Sequence, residues 1–132
     1  MLGELIEETT GKRTSRKVLS TNPLKVEVSF EGAGKLLGID AREIVTYESA
    51  VRPDGSFYGE GRGIYLTGAG DAVSWEGAGV GKLAADGTAT YRGAVYFWTT
   101  SEKFARLNSV AGVFEFQADA EGNTHSKTWE WK

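Results

Sequence analysis

Across the middle of the chain, apolar and charged residues alternate with a period of two. Phe57, Gly59, Gly61, Gly63 and Tyr65 share one parity, while Tyr58, Glu60, Arg62, Ile64 and Leu66 share the other. The next segment separates Val73, Trp75, Gly77, Gly79 and Gly81 from Ser74, Glu76, Ala78, Val80 and Lys82. A third separates Ala89, Tyr91, Gly93, Val95 and Phe97 from Thr90, Arg92, Ala94, Tyr96 and Trp98. A two-residue period is the mark of strands with unlike faces. Runs rich in Val, Thr, Tyr, Phe and Trp predict strands over 3–8, 12–20, 25–36, 40–51, 57–66, 72–84, 88–99, 110–119 and 124–131. Turn chemistry separates them at Thr10-Gly11, Asn22-Pro23, Arg52-Pro53-Asp54-Gly55, Gly68-Ala69-Gly70-Asp71, Asp86-Gly87 and Glu121-Gly122-Asn123.

Short connections pair successive strands as hairpins, and a long twisted meander closes to remove its edges. The expected fold is therefore all-β: an antiparallel up-and-down β-barrel of about eight strands. It spans 1–132 as a single domain, with 1–20 either a strand pair or an extended arm. One short helical turn is expected near 101–108, with Ser101 as its cap and Phe104 and Leu107 on one face.

Charge decides which face is inside. Burying an unpaired Glu or Arg costs several kcal/mol, so Glu60, Arg62, Glu76 and Arg92 are assigned to solvent. The glycine-and-aromatic faces then point inward, with Val26, Val28 and Phe30, and with Val45, Tyr47, Ser49 and Val51. Phe114, Phe116, Trp129 and Trp131 are expected to complete the ring. The reverse orientation, an interior network of Glu60, Arg62, Glu76 and Arg92, is disfavoured because such cross-strand pairs are commonly exposed. Tyr58, Ile64, Leu66, Tyr96 and Trp98 are left outside, as scattered surface residues or as a subunit interface; the interface reading is preferred and implies a homo-oligomer.

Composition sharpens this picture. Glycine supplies 18 of the 132 residues and proline only 2, so glycine has a structural use rather than marking a disordered tail. Strand glycines either permit tight coiling and bulges or leave interior space. With no cysteine there is no disulfide or thiolate metal site. The net charge of −3 argues against nucleic acid as a partner, despite the basic run Lys12, Arg13, Arg16 and Lys17. Neither a signal peptide nor an apolar run of about 20 residues is seen, so no membrane partner is expected and a cytoplasmic address is the default.

Candidate motifs fail on inspection. Gly77-Ala78-Gly79-Val80-Gly81-Lys82-Leu83 has Glu76 where a phosphate loop needs glycine, and Leu83 where it needs Ser or Thr. Gly59, Gly61 and Gly63 have the wrong spacing for a dinucleotide turn and precede no helix. A single histidine, His125, excludes multi-histidine metal sites and reads as a solvated rim residue. Asp119, Glu121 and Asn123 lack the ligand spacing of a calcium loop. No metal and no cofactor are expected. Glu48, Glu60, Glu76 and Glu115 lie on strands, and no pair among them stands out for acid–base work.

Two segments carry a resemblance. Val51-Arg52-Pro53-Asp54-Gly55 precedes a glycine-alternating strand and a long hairpin, and Leu107-Asn108-Ser109-Val110-Ala111-Gly112-Val113-Phe114-Glu115 precedes a last aromatic strand. Over residues 25–131 this order resembles small uncharacterised bacterial barrels of avidin-like or allene-oxide-cyclase-like type. The resemblance implies an eight-stranded, often oligomeric barrel with an apolar cavity. Its avidin-like members bind a small molecule, and its cyclase-like members fold a fatty-acid epoxide without a cofactor. Neither a biotin site nor a cyclase glutamate maps onto these residues.

Three functions are compatible with this reading. The first is a barrel binding a small apolar or aromatic ligand, with Phe30, Tyr47, Tyr65, Trp75, Tyr91, Phe116 and Trp129 lining the pocket. The second is a cofactor-independent isomerase or cyclase using the same cavity, marked by a buried carboxyl with a raised pKa. The third is a packed structural or oligomeric module without ligand. The first two call for an interior void above ~300 Å³.

Overall fold

The computed structural model describes residues 2–132. Eight antiparallel strands close into a barrel in strict chain order: β1 Leu2–Thr21, β2 Leu24–Leu36, β3 Ile39–Val51, β4 Phe57–Thr67, β5 Ala72–Leu83, β6 Ala89–Trp98, β7 Ala111–Ala118 and β8 Asn123–Trp131. The last strand pairs with the first, so no sheet edge runs the length of the molecule.

The charged faces of β4, β5 and β6 point to solvent. Glu60, Arg62, Glu76 and Arg92 are exposed, and Arg92 meets Glu115 across the β6–β7 pair at 3.2 Å. Tyr96 and Trp98 are exposed on the same outer surface as Tyr58 and Leu66.

Three expectations are corrected. Residues 3–8 and 12–20 are one strand, not two: Gly11 is paired both to Gly32 on β2 and to Thr124 on β8, so the Thr10-Gly11 turn does not form. Flanking strands satisfy this stretch on both sides, which outweighs local turn preference. Second, Trp129 and Trp131 do not face inward. Inside on β8 are Thr124, Ser126 and Thr128, paired with Ala118, Phe116 and Phe114; Trp129 is half-buried opposite Val113 and Leu5, and Trp131 is exposed. Third, the helical turn is a 3₁₀ helix over Glu102–Ser109, and Ser101 makes no side-chain cap. The Ser101 hydroxyl instead donates to Asp71 at 2.7 Å, tying the helix to the β4–β5 turn.

That helix defines the two ends of the barrel. Phe104 and Leu107, three apart and therefore eclipsed on a 3₁₀ helix, are fully buried against Ile6, Leu36, Ala41, Tyr65, Val73, Val95 and Phe97. They plug the end where β1 begins and β8 finishes. The opposite end is ringed by the turns 52–56, 84–88 and 119–122 and by the β1–β2 hairpin, and among the described residues no element crosses it. Near this open end a second cluster packs Phe30, Val45, Tyr91 and Phe116 with Tyr47 and Phe57.

Candidate functional site

Between plug and aromatic cluster lies a cavity of about 70 Å³. It is far smaller than the void above ~300 Å³ expected from the glycine-lined faces. The glycines explain why. A Cβ on Gly63 would lie 2.6 Å from both Cε2 and Nε1 of Trp75, and one on Gly81 would lie 2.7 Å from the Tyr91 ring. Rings from neighbouring strands occupy the room that the glycines leave. At Gly93 a Cβ would instead run into the backbone carbonyl of Ala78, so this glycine permits close strand coiling. Both expected uses of glycine occur, and together they fill most of the interior.

Six of the seven predicted lining residues meet at this cavity: Phe30, Tyr47, Tyr65, Trp75, Tyr91 and Phe116. Trp129 does not. The Phe30 and Phe116 rings stack at 5.1 Å, and Tyr47 meets Phe116 edge-on at 5.6 Å and Tyr91 at 5.8 Å, forming a collar toward the open end. The Tyr91 hydroxyl is tied to Ser49 Oγ at 2.8 Å.

The floor of the cavity carries two residues that sequence reasoning missed, Glu7 and Glu43, only 1% and 3% exposed. Thr9 Oγ1 lies between them, 3.0 Å from Glu7 Oε2 and 2.6 Å from Glu43 Oε1. One hydroxyl has one proton to give. Both contacts are hydrogen bonds only when one carboxyl is itself protonated and donates to Thr9. Around Glu7, Ser126 Oγ donates to Oε1 at 2.7 Å and Thr128 Oγ1 at 3.1 Å. The buried Tyr65 hydroxyl lies near both carboxyls.

The electrostatics agree with a shared proton. Burial raises Glu7 above the ordinary glutamate range, opposed by the hydroxyls of Ser126, Thr9, Thr128 and Tyr65. Glu43 is pushed up to about 7, first by burial and then by the charge of Glu7. Tyr65 is raised well above the usual phenol value by burial and by the two carboxyls, so it stays a donor. The two carboxyls are coupled, and both keep their protons to higher pH than an ordinary glutamate. Of the two, Glu43 lines the cavity and is the member that can exchange a proton with its contents.

One further group points to chemistry. Trp75 Nε1 is the buried side-chain polar atom that lacks a hydrogen-bond partner among the described residues. Its indole lies flat over Gly63 and forms part of the cavity wall. An orphaned buried donor in a cavity is open to an acceptor from a ligand. His125, by contrast, is exposed on the outer surface at 2.8 Å from Glu8. Among the described residues no cluster of three His, Cys, Asp or Glu side chains is arranged to hold a metal ion.

No family model and no curated protein matches the chain. Solved structures do. A protein of unknown function from Clostridium acetobutylicum aligns with a TM-score of 0.84 at 15% identity, over 98% of each chain. A beta-barrel like protein from Acinetobacter baumannii aligns at 0.79 and 13% identity, over 98% of this chain and 96% of its own. An enzyme from Penicillium herquei aligns at 0.64 and 15% identity, over the same shares. At these identities the likeness is one of fold: the chain is similar to uncharacterised bacterial barrels, and the architecture recurs in a fungal enzyme.

Proposed function

We propose that this barrel is a cofactor-independent acid–base catalyst, an isomerase or cyclase acting on a small, slim apolar substrate. The carrying observation is the buried Glu7–Glu43 pair bridged by Thr9 at the cavity floor. A pair of carboxyls sharing one proton near neutral pH suits general acid–base work, since one member gives a proton while the other can accept one. In this reading Glu43 delivers the proton to, or takes it from, the substrate. Glu7, ringed by the hydroxyls of Thr9, Ser126 and Thr128, holds the compensating charge. Tyr65 steadies both, and the Trp75 N–H donates to a substrate oxygen that gains negative charge.

The cavity is narrower than this reading called for, so it is the buried carboxyl pair that favours catalysis over a packed module. About 70 Å³ admits the reacting end of a chain and excludes most water, which strengthens each of these interactions. The barrel of the Penicillium herquei enzyme is compatible with catalysis on such a scaffold. A simple binding protein for a bulky aromatic ligand fits the volume less well, because the collar rings would have to move.

Proton transfer can be read without knowing the natural substrate. Small conjugated straight-chain ketones and dienones are incubated with the protein in heavy water, and deuterium incorporation is followed by NMR. Incorporation is expected with the wild type and should fall at least 100-fold in Glu43→Gln, the scale of a lost general acid–base group. Absence of incorporation across the panel, or an unchanged rate in Glu43→Gln, refutes the proposal.

A further inference from the structure

The open end carries a feature that the acid pair does not use. Beyond Lys12, where pairing with β8 ends, β1 continues with β2 as a hairpin that overhangs the mouth. Directly paired residues share a sheet face. Arg13 pairs with Phe30, which faces the barrel interior, and after a bulge Arg16 pairs with Val28, which is also buried inside. Both arginines therefore lie on the concave face, above the collar. Arg13 is folded against the β7–β8 turn: a Cβ on Gly122 would lie 3.0 Å from Arg13 Cβ and 3.1 Å from Cζ.

Neither guanidinium has a carboxylate within ion-pair distance among the described residues. The neighbouring inner positions at this end are Val26, Ser49, Val51, Phe57, Ala89 and Ala118, so no acid shares the face. Of the rim-turn acids, Asp54 accepts from Ser56, Asp86 from Thr88 and Asp119 from Asn123, while Glu121, beside Gly122, forms no ion pair with either arginine. Burial raises the pKa of the Tyr47 hydroxyl at the collar, and Arg13 and Arg16 act against that rise. In a chain of net charge −3, two unpaired arginines over an apolar shaft form a local anion-attracting mouth.

We infer that the substrate is an amphipathic acid, its anionic head held by Arg13 and Arg16 at the mouth and its slim apolar tail parting the packed collar rings to reach toward Glu43. This rests on the reading of the acid pair as the reaction centre. Arg13 lies four residues beyond Thr9 on β1, about 13 Å along the strand at ~3.3 Å per residue. An unbranched acid of roughly eight carbons spans most of that distance, and the arginine side chain covers the rest.

Octanoate and 1-octanol share a tail and differ in head charge. Titrated into the 15N-labelled protein and followed at the Trp75 indole N–H, octanoate should bind about tenfold more tightly than the alcohol, as befits charge-assisted hydrogen bonds. In Arg13→Gln/Arg16→Gln the two affinities should converge, with the Glu43 titration unchanged as evidence of an intact floor. Arg13→Lys/Arg16→Lys should keep part of the preference. Equal affinities in the wild type, no octanoate binding, or a preference that survives the glutamine pair would overturn the inference. Failure of the acid–base reading is distinguishable, because it appears as absent deuterium incorporation while the octanoate preference persists.

Discussion

Trp75 illustrates how single residues join packing to chemistry here. Its ring fills the space above Gly63, and its N–H is left without an acceptor. Trp75→Phe removes the orphaned donor and keeps most of the ring, so stability in urea should be unchanged or rise by up to ~1 kcal/mol. A conjugated ketone should bind Trp75→Phe more weakly than the wild type, whereas octanoate, whose oxygens stay at the arginines, should bind about equally well. Gly63→Ala inserts a methyl 2.6 Å from the indole and should cost about 1–3 kcal/mol by overpacking, again read from urea unfolding. Glu43 was legible in principle: it continues the inward parity of Val45, Tyr47, Ser49 and Val51 by one step. The assumption that charges face water hid it. Glu7 was harder to find, because register shifts between Leu2, Leu5 and Glu7 bury two successive residues, Ile6 and Glu7. A bulge breaks the period on which strand reading depends.

Among elements, the strands from β2 to β7 follow from alternation and turn residues almost as observed, since each has one charged and one apolar face. Gly55, Gly70, Gly87 and Gly122 all take positive φ in the turns where they were expected. The β7–β8 pair misled because large aromatics suggest a core, yet Trp129 lies outside while the small hydroxyl residues Ser126 and Thr128 face in. Their inward placement solvates a buried carboxyl, a demand that exists only once β1 is docked. The 3₁₀ plug is expected to be critical to closure. Leu107→Ala removes a side chain with no exposure and should cost about 2–5 kcal/mol in urea unfolding. The β1 overhang makes a separate prediction. Past Arg13, whose N–H donates to the Gly122 carbonyl at 2.7 Å, it has a partner only on the β2 side, so its amides should alternate between protected and fast-exchanging by hydrogen-exchange NMR, whereas those of Glu8–Gly11 should be uniformly slow.

For the whole molecule, the buried pair links stability to pH. Both carboxyls bind their proton more tightly in the folded chain than at the ordinary value of 4.5, so the folded state holds more protons across the shifted range. Stability should therefore fall as pH rises from 4.5 through about 7, by on the order of 3 kcal/mol from Glu43 alone, and the slope should shrink in Glu43→Gln. Exposed carboxylates with lowered pKa, such as Asp54 and Asp119, act in the opposite sense in more acid solution. A barrel of this kind gives up stability near neutrality to keep a proton where an apolar molecule can meet it. Acid–base chemistry in the cavity requires that proton. Carbon-13 NMR titration of the Glu43 side-chain carboxyl tests it most directly: a midpoint at about 7 is predicted. A midpoint at the ordinary glutamate value of 4.5 would contradict it.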